Sequence, residues 1–227
     1  MSAPLTIVIP TLNAAPALAE CARALMPGVA AGLIRGLVVS DGGSTDDTVV
    51  VAERLGAVIV TGPPGRGGQI ASGVAAAQTP WVLILHADSW PGAGWVEAAE
   101  AHMAAHPQAA GWFHLSFRAQ GVAPRLVAGW ANLRSRLGLP YGDQGLLVAR
   151  ATLHEVGGVP PQPLMEDVAL ARALRGRLRG LNAPIHTSAE RYETGGWVRR
   201  GARNLLTLCR YLAGVSPERL AQDYRKP

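Results

Sequence analysis

The feature that most constrains this chain is the segment Trp81-Val82-Leu83-Ile84-Leu85-His86-Ala87-Asp88-Ser89, bracketed by Pro80 and Pro91. An apolar run of that length without polar alternation reads as a strand buried on both faces, as in a parallel sheet covered by helices. The run stops at one carboxylate, Asp88. Ligands of open α/β sheets bind at the C-terminal edge of the strands, which makes Asp88 a candidate contact. Asp88-Ser89-Trp90-Pro91 is also good turn chemistry, and on this stretch alone both readings stand.

The chain before it alternates strand and helix. Leu5 to Pro10 reads as strand one, and Ala15 to Met26 as a helix ended by Pro27-Gly28. Leu33 to Ser40 is strand two, closing on Asp41-Gly42-Gly43. Ser44 then caps a helix, with Asp47 three residues on as in a capping box. Ala57 to Thr61 is strand three, and a short helix from Gly68 to Ala77 leads into the apolar run. This alternation argues for a doubly wound α/β sheet. After Pro91 the pattern loosens: helices over Trp95–His106, Val122–Leu137 and Leu164–Arg175, and strands over Gly111–Phe117 and Gly145–Val148. The second half thus reads as an addition that completes a site built on the first.

Length and composition narrow the class. A chain of 227 residues, 48% apolar, suits one domain with a large core. No stretch offers the ~20 apolar residues of a membrane span. Met1-Ser2-Ala3-Pro4 runs straight into strand one, leaving no room for a secretory signal. Cys21 and Cys209 belong to no metal-spaced cluster and read as free thiols of a reducing cytosol. The net charge is +5, almost all of it arginine and crowded into the last third. Such a bias fits a surface facing phosphates or anionic lipid, or a merely solvated basic face.

Three strand ends meet one sheet edge: Pro10-Thr11-Leu12-Asn13, Asp41-Gly42-Gly43-Ser44-Thr45-Asp46, and Asp88. A carboxylate at a strand end beside glycines suits a nucleotide's base or ribose, although Asp-Gly-Gly-Ser also describes an ordinary turn. Asp88 adds the usual protein share of a Mg²⁺ site completed by phosphate and water. The glycine spacing of Gly62 to Gly67 does not match a dinucleotide loop, and Gly68-Gln69 stands where a P-loop needs its lysine. His102 and His106 share a helix face without a third ligand and read as surface histidines.

Together these segments resemble the family 2 glycosyltransferases of GT-A fold. The resemblance rests on Ile9-Pro10-Thr11-Leu12-Asn13, Asp41-Gly42-Gly43-Ser44-Thr45-Asp46-Asp47-Thr48, and His86-Ala87-Asp88 as a form of the Asp-x-Asp signature. It extends to Gly65-Arg66-Gly67-Gly68-Gln69, Gly142-Asp143-Gln144-Gly145 and Glu166-Asp167. The chain is most similar to a compact bacterial subgroup associated with radical-SAM/selenodomain clusters and arsenosugar biosynthesis. The resemblance implies a single GT-A domain over residues 1–227, with a mostly parallel, doubly wound sheet flanked by helices. Residues 1–90 would be the nucleotide-binding half, and 91–227 the acceptor side with its C-terminal amphipathic helix.

It further implies cytoplasmic, inverting transfer of a sugar from a nucleotide-diphosphate donor to a hydroxyl acceptor, assisted by Mg²⁺ or Mn²⁺. Pro10, Thr11, Asn13, Asp41, Arg66 and Gln69 would hold the donor, and Asp88 the metal. Asp167, or Glu166 beside it, would be the general base; a helix start favours such ionised carboxylates. Asp143, Gln144, Arg191 and Trp197 would face the acceptor, although a core Trp beside a charged loop accounts for Arg191 to Trp197 equally well. Two positions depart from the pattern: Ala14 follows Asn13 where many relatives carry Glu, and His86 replaces the first Asp of the signature. A sugar nucleotidyltransferase would carry a Gly-rich basic loop after strand one, unlike Thr11-Leu12-Asn13-Ala14. A noncatalytic nucleic-acid or membrane-surface protein would leave Asp41, Asp88 and Glu166-Asp167 without a role, so no nucleic acid is expected. In the last helix, Val198, Ala202, Leu205, Leu206, Cys209, Leu212 and Ala213 form one stripe opposite Arg199, Arg203 and Arg210. The stripe is expected to dock on the sheet; the alternative is peripheral contact with anionic lipid at the inner membrane face, suiting a lipid-linked acceptor.

Overall fold

In the computed structural model, which describes residues 3–225, eight strands form one sheet. Met1 and Ser2, part of the segment read as leaving no room for a signal, lie outside the described residues, as does Lys226. The elements run β1 (Leu5–Thr11), α1 (Ala15–Ala30), β2 (Ile34–Asp41), α2 (Thr48–Arg54), β3 (Val58–Thr61), α3 (Arg66–Ala76) and β4 (Trp81–Ile84). Then come β5 (Ser89–Pro91), α4 (Trp95–Ala105), β6 (Ala110–Phe117), α5 (Val122–Arg136), a 3-10 turn (Gly142–Gln144) and β7 (Leu146–Ala149). The chain closes with α6 (Arg150–Glu155), α7 (Glu166–Ala173), β8 (Leu178–Thr187), α8 (Glu190–Gly195), α9 (Trp197–Leu212) and α10 (Pro217–Arg225).

The strand order is β3-β2-β1-β4-β7-β6-β8-β5. The first four strands pair in parallel; β7 then pairs antiparallel with β4 and β6, and β5 antiparallel with β8. β6 and β8 are parallel. The sheet is therefore mixed, parallel throughout its first half and largely antiparallel in its second.

β4 is buried on both faces, as its composition requires. Trp81 and Leu83 enter one core with Leu5, Ile7 and Ile9 of β1, while Val82 and Ile84 enter the other with Val8. Each such aliphatic side chain contributes about 1.5–3 kcal/mol on burial, so this central pair fixes the register of the parallel half. The strand is shorter than the apolar run. After Leu85, whose N–H donates to Val8 O at 3.0 Å, the backbone turns, with Ser89 N–H donating to His86 O at 3.0 Å. Asp88 thus occupies a turn at the end of a buried strand, and the two readings of that stretch coincide.

Four expectations are corrected. α1 runs through Pro27 to Ala30, because Gly28 seats its bare Cα against the buried Trp95 ring and holds the last turn in place. Ser44 does not cap α2; its hydroxyl serves Asp41 instead, and the helix starts at Thr48. His102 is buried, Nε2 at 3.1 Å from Ala109 O and its ring against Trp81. Most consequentially, the apolar stripe of α9 faces outward. Its inward side carries Thr207 and Leu208, with Asn204 hydrogen-bonded to Tyr192 and Tyr224.

Gly67 packs where an added Cβ would collide with the carbonyl oxygens of Pro160 and Gln162, whereas one at Gly68 would meet nothing. Gly67→Ala is therefore expected to destabilise by about 1–3 kcal/mol through overpacking, despite alanine's better helix propensity. Gly68→Ala should leave the melting temperature unchanged or raised. Thermal melts of the two variants side by side check this.

Candidate active site

The C-terminal ends of β1, β2 and β4 gather at one edge, beside the point where the chain order reverses between β1 and β4. Two loops there interlock. Asn13, in the left-handed region (φ 50°) that Asn tolerates better than most residues, accepts Thr45 N–H on Oδ1 at 2.8 Å. Its own N–H donates to Ser44 Oγ at 2.8 Å. Asp41 lies beneath this junction. Its carboxylate receives Thr11 Oγ1 at 3.0 Å, Gly43 N–H at 2.9 Å, and Ser44 N–H and Oγ at 2.8 and 2.5 Å. Burial alone would raise the Asp41 pKa, yet the donors of Ser44, Thr11 and Gly43 outweigh it and hold the carboxyl below its usual range. Four donors fill the roughly four acceptor sites of a carboxylate. Gln69 stitches the same edge: Nε2 donates to Thr11 O at 2.7 Å and to Ser40 O at 2.8 Å.

Above this floor opens a cleft of about 620 Å³, lined among others by Pro10, Thr11, Asn13, Arg66, Gln69 and Asp88. Asp41 does not line it. A second cavity, about 150 Å³, is lined by Asp88, Asp143, Asp167, Tyr192, Arg200 and Asn204 among others. Arg66, His86, Asp88, Ser188 and Arg191 border both, so the two spaces meet at these residues. Asp88 and Asp167, 79 positions apart in the sequence, face one cavity. The Asp88 turn is tied to the second half by Ser188 N–H and Thr187 Oγ1, both donating to Asp88 O.

Arg66 sits at the start of α3 and Glu166 at the start of α7. Arg66 Nε lies 2.6 Å from Glu166 Oε1, whose side chain is 1% exposed. Burial alone would loosen the Arg66 proton, but the carboxylates of Glu166, Asp167, Asp143 and Asp88, in falling order, hold it more firmly than usual. Asp167 is set differently from its neighbour: Gly142 N–H donates to Oδ2 at 2.9 Å and Val168 N–H to Oδ1 at 2.7 Å. Burial, then the nearby charge of Asp167, push the Glu166 carboxyl upward against the pull of Arg66.

His86 is driven well below its ordinary pKa by burial and by the Arg66 and Arg191 cations. It is therefore neutral at pH 7, with Nε2 at 3.5 Å from Arg66 Nη1. Gly142 lies so close to this ring that any Cβ there would overlap it. Asp143 is raised to about 6, by burial first and by Asp167 and Asp88, with Arg134 and Arg66 opposing. Its Oδ1 is buried without a hydrogen-bond partner.

Pro10, Thr11, Asn13, Arg66, Gln69 and Asp88 thus line the larger cleft and Asp143 the smaller cavity beside it, while Asp41 lines neither. Gln144 turns away from the cavity: it is fully buried, accepting Ser135 Oγ at 2.5 Å and donating to Phe113 O at 3.2 Å. Trp197 packs into an aromatic cluster, stacked on Tyr192 with centroids 4.9 Å apart and edge-on to Phe117. Sequence reasoning missed Tyr192, Arg200 and Asn204. Arg200 and Asn204 share one α9 face at i, i+4, a spacing visible in the sequence once the apolar stripe is not taken as the inner one.

Asp88 and the unpaired Asp143 Oδ1 are hard oxygen donors of the kind Mg²⁺ or Mn²⁺ takes. Among the described residues no three acidic, His or Cys side chains converge to hold a metal unaided. The residues fit a cation that brings phosphate oxygens with it.

Comparison with known proteins agrees with the fold. A family model described as Glycosyl transferase family 2 matches residues 6–146. An uncharacterized glycosyltransferase of Mycobacterium tuberculosis is 44% identical over 90 residues, 39% of this chain and 38% of that relative. The aligned stretch thus spans well under half of the curated relatives' length. Among solved structures, S. aureus TarS superposes with a TM-score of 0.63 at 16% identity, covering 89% of this chain and 39% of that one. Glucosyl-3-phosphoglycerate synthase from Mycobacterium tuberculosis, crystallised with Mn²⁺, UDP and glucosyl-3-phosphoglycerate, gives 0.58 at 21% identity, covering 90% and 79%. The fold is GT-A type, a mixed α/β sheet flanked by helices.

The raised Asp143 pKa has a definite sign for stability. Its folded form holds the proton longer than the unfolded chain does, so its contribution to stability falls as pH climbs from about 4 to about 6. Asp143→Asn removes that buried charge. The variant should melt about 3–6 °C higher than the parent at pH 8 and nearly level with it at pH 4, a difference that paired thermal melts read directly.

Proposed function

Because the chain belongs to glycosyl transferase family 2, we propose that it is an inverting, cation-assisted enzyme moving a sugar from a nucleotide diphosphate to a hydroxyl acceptor. One observation carries this reading: Asp88 and Asp167 face a single cavity that opens past Arg66 into the larger cleft. The cleft is the donor site. Pro10, Thr11 and Asn13 form its base-side wall, and Asp41 and Gln69 keep that wall in register from below. A direct contact from Asp41 to the base would require Ser44 or Gly43 to release one of its bonds. Two structural neighbours bind donors or products of this class: UDP-GlcNAc in TarS, and UDP with Mn²⁺ in the synthase.

The chain's own residues divide the work as follows. Arg66 spends Nε on Glu166, with Nη1 at 3.5 Å from His86 Nε2, which leaves Nη2 for diphosphate oxygens; Glu166 is a positioning residue. Neutral His86, in place of an acid, adds no negative charge against the phosphates, and Arg191 borders them from α8. Asp88 would hold Mg²⁺ or Mn²⁺, which when bound offsets charge on the departing diphosphate. Asp167 uses one lone pair on each oxygen for a backbone N–H and keeps the others free. It therefore accepts the acceptor's proton as the oxygen attacks the anomeric carbon and the bond to the diphosphate breaks on the opposite face. Asp143 and Arg191 border the acceptor's cavity; Gln144 and Trp197 act on it only through the turn and the aromatic cluster.

The organisation of residues 1–227 as one domain, donor side in 1–90 and acceptor side in 91–227, is supported by the single sheet that both halves share. The motif sequences Gly65–Gln69 and Gly142–Gly145 support membership of the compact radical-SAM-associated, arsenosugar-linked subgroup. Two unpaired cysteines support a cytoplasmic setting. No helix among the described residues is long and apolar enough to cross a membrane.

Asp167→Asn should leave donor affinity within about twofold and slow transfer by about 10²–10⁴. Donor titration by calorimetry and nucleotide release with acceptor present check the two halves. Asp88→Ala should abolish the stimulation by Mn²⁺ or Mg²⁺. If Glu166→Gln, and not Asp167→Asn, stops transfer with donor binding intact, the base has been misassigned. Failure of every nucleotide sugar to bind would sink the reading altogether.

A further inference from the structure

The helices α5 and α9 pack against each other, and both turn an apolar row outward. On α5, Val122, Leu126, Trp130 and Leu133, with Leu137 just beyond its end, recur at helical spacing on the face away from the core. Leu126 is 68% exposed and Trp130 51%. On α9 the outward row is Val198, Leu205, Leu206 and Leu212, with Val198 85% and Leu206 61% exposed. Single exposed leucines need no explanation, but two such rows on touching helices make an interaction surface.

The charges beside the rows say what that surface meets. Neither helix contains an aspartate or glutamate; of their arginines, Arg134 is buried, Arg200 and Arg203 hydrogen-bond to Tyr224, and Arg210 pairs with Asp223. Arg125, Arg136 and Arg199 are exposed at the margins of the rows. A second copy packed row on row would set arginine against arginine with no acid on either helix to answer it. An anionic bilayer answers both features: acyl chains for the rows, headgroup phosphates for the arginines, and the interface for Trp130.

We infer that the joint outer face of α5 and α9 docks on an anionic lipid bilayer, and that the acceptor hydroxyl is carried by an amphiphile anchored in that leaflet. The second half follows from the other side of α9. Its inner face presents Arg200 and Asn204 to the cavity that holds Asp167, so one helix is both the membrane-facing surface and a wall of the acceptor site. The acceptor half rests on the transferase reading above; the docking half does not.

The test is co-sedimentation of the purified full chain with vesicles of phosphatidylcholine alone or mixed with phosphatidylglycerol, at low and high salt. Binding to the mixed vesicles at low salt, weakened by salt, is expected. Leu126→Gln with Leu206→Gln should reduce it at least tenfold on both vesicle types, from the loss of two buried leucines. Arg125→Gln with Arg136→Gln should reduce it about fivefold per arginine on anionic vesicles only. All four positions are exposed, so unchanged melting and donor binding accompany the loss. Docking is overturned by the absence of vesicle binding at low salt, or by binding that the leucine variant does not alter. It is equally overturned by a dimer in sedimentation velocity that the leucine variant dissolves, which would give the face to a second copy. Vesicle binding without any nucleotide-sugar affinity would uphold docking and overturn the acceptor assignment alone.

Discussion

The contact on which the site depends is the ion pair of Arg66 and Glu166, 2.6 Å from Nε to Oε1. It joins the start of α3, in the parallel half of the sheet, to the start of α7, in the half built largely of antiparallel pairings. Removing the arginine would strand a buried carboxylate, the costly way to break such a pair. The pair also orients Arg66 so that its remaining nitrogens reach the junction between the larger cleft and the smaller cavity. Asp167, next in sequence to Glu166, is carried to that junction by the same helix start. The fold thus uses two adjacent acids for different tasks, one buried to hold a cation and one left facing the cavity.

Charge at the junction is balanced by environment. Arg66 and Arg191 face Asp88, Asp143 and Asp167 across the shared border, and His86 stays neutral between them. An acid at position 86 would have to share this confined space with three other carboxylates. Burial already lifts Asp143 to about 6 and leaves one of its oxygens without a partner. A ligand bringing phosphate and a divalent cation would meet both signs at once. Such groups supply interactions that the protein alone leaves open.

The parallel half was legible because its signals are local. A strand buried on both faces must be apolar throughout, and each loop at its C-terminal end carries the turn chemistry that stops it. The clustering of Thr11, Asn13, Arg66, Gln69 and Asp88 then follows from one topological rule about strand ends. The second half lacked such signals. β8 alternates only from Leu181 to Thr187, and Asn182 and Pro184 within that stretch weaken its strand signal, yet it pairs with both β6 and β5 because neighbouring strands supply its partners. From its motif Gln144 is expected to face the acceptor, but Ser135 and Phe113 claim its amide inside the core.

By itself the sequence determined the βαβ frame, the edge where its loops converge, and the identity of the acids that gather there. Those properties depend on residues near one another in the chain. Only the tertiary structure decided which lone pairs stay free. It saturated the Asp41 carboxylate, withdrew Gln144, paired Glu166 and left Asp167 open to the cavity. It also decided which side of α9 is inside, since hydrophobic periodicity marks a stripe without saying what covers it. Hydrogen bonds from distant segments satisfied the polar face, and the apolar one was left outward.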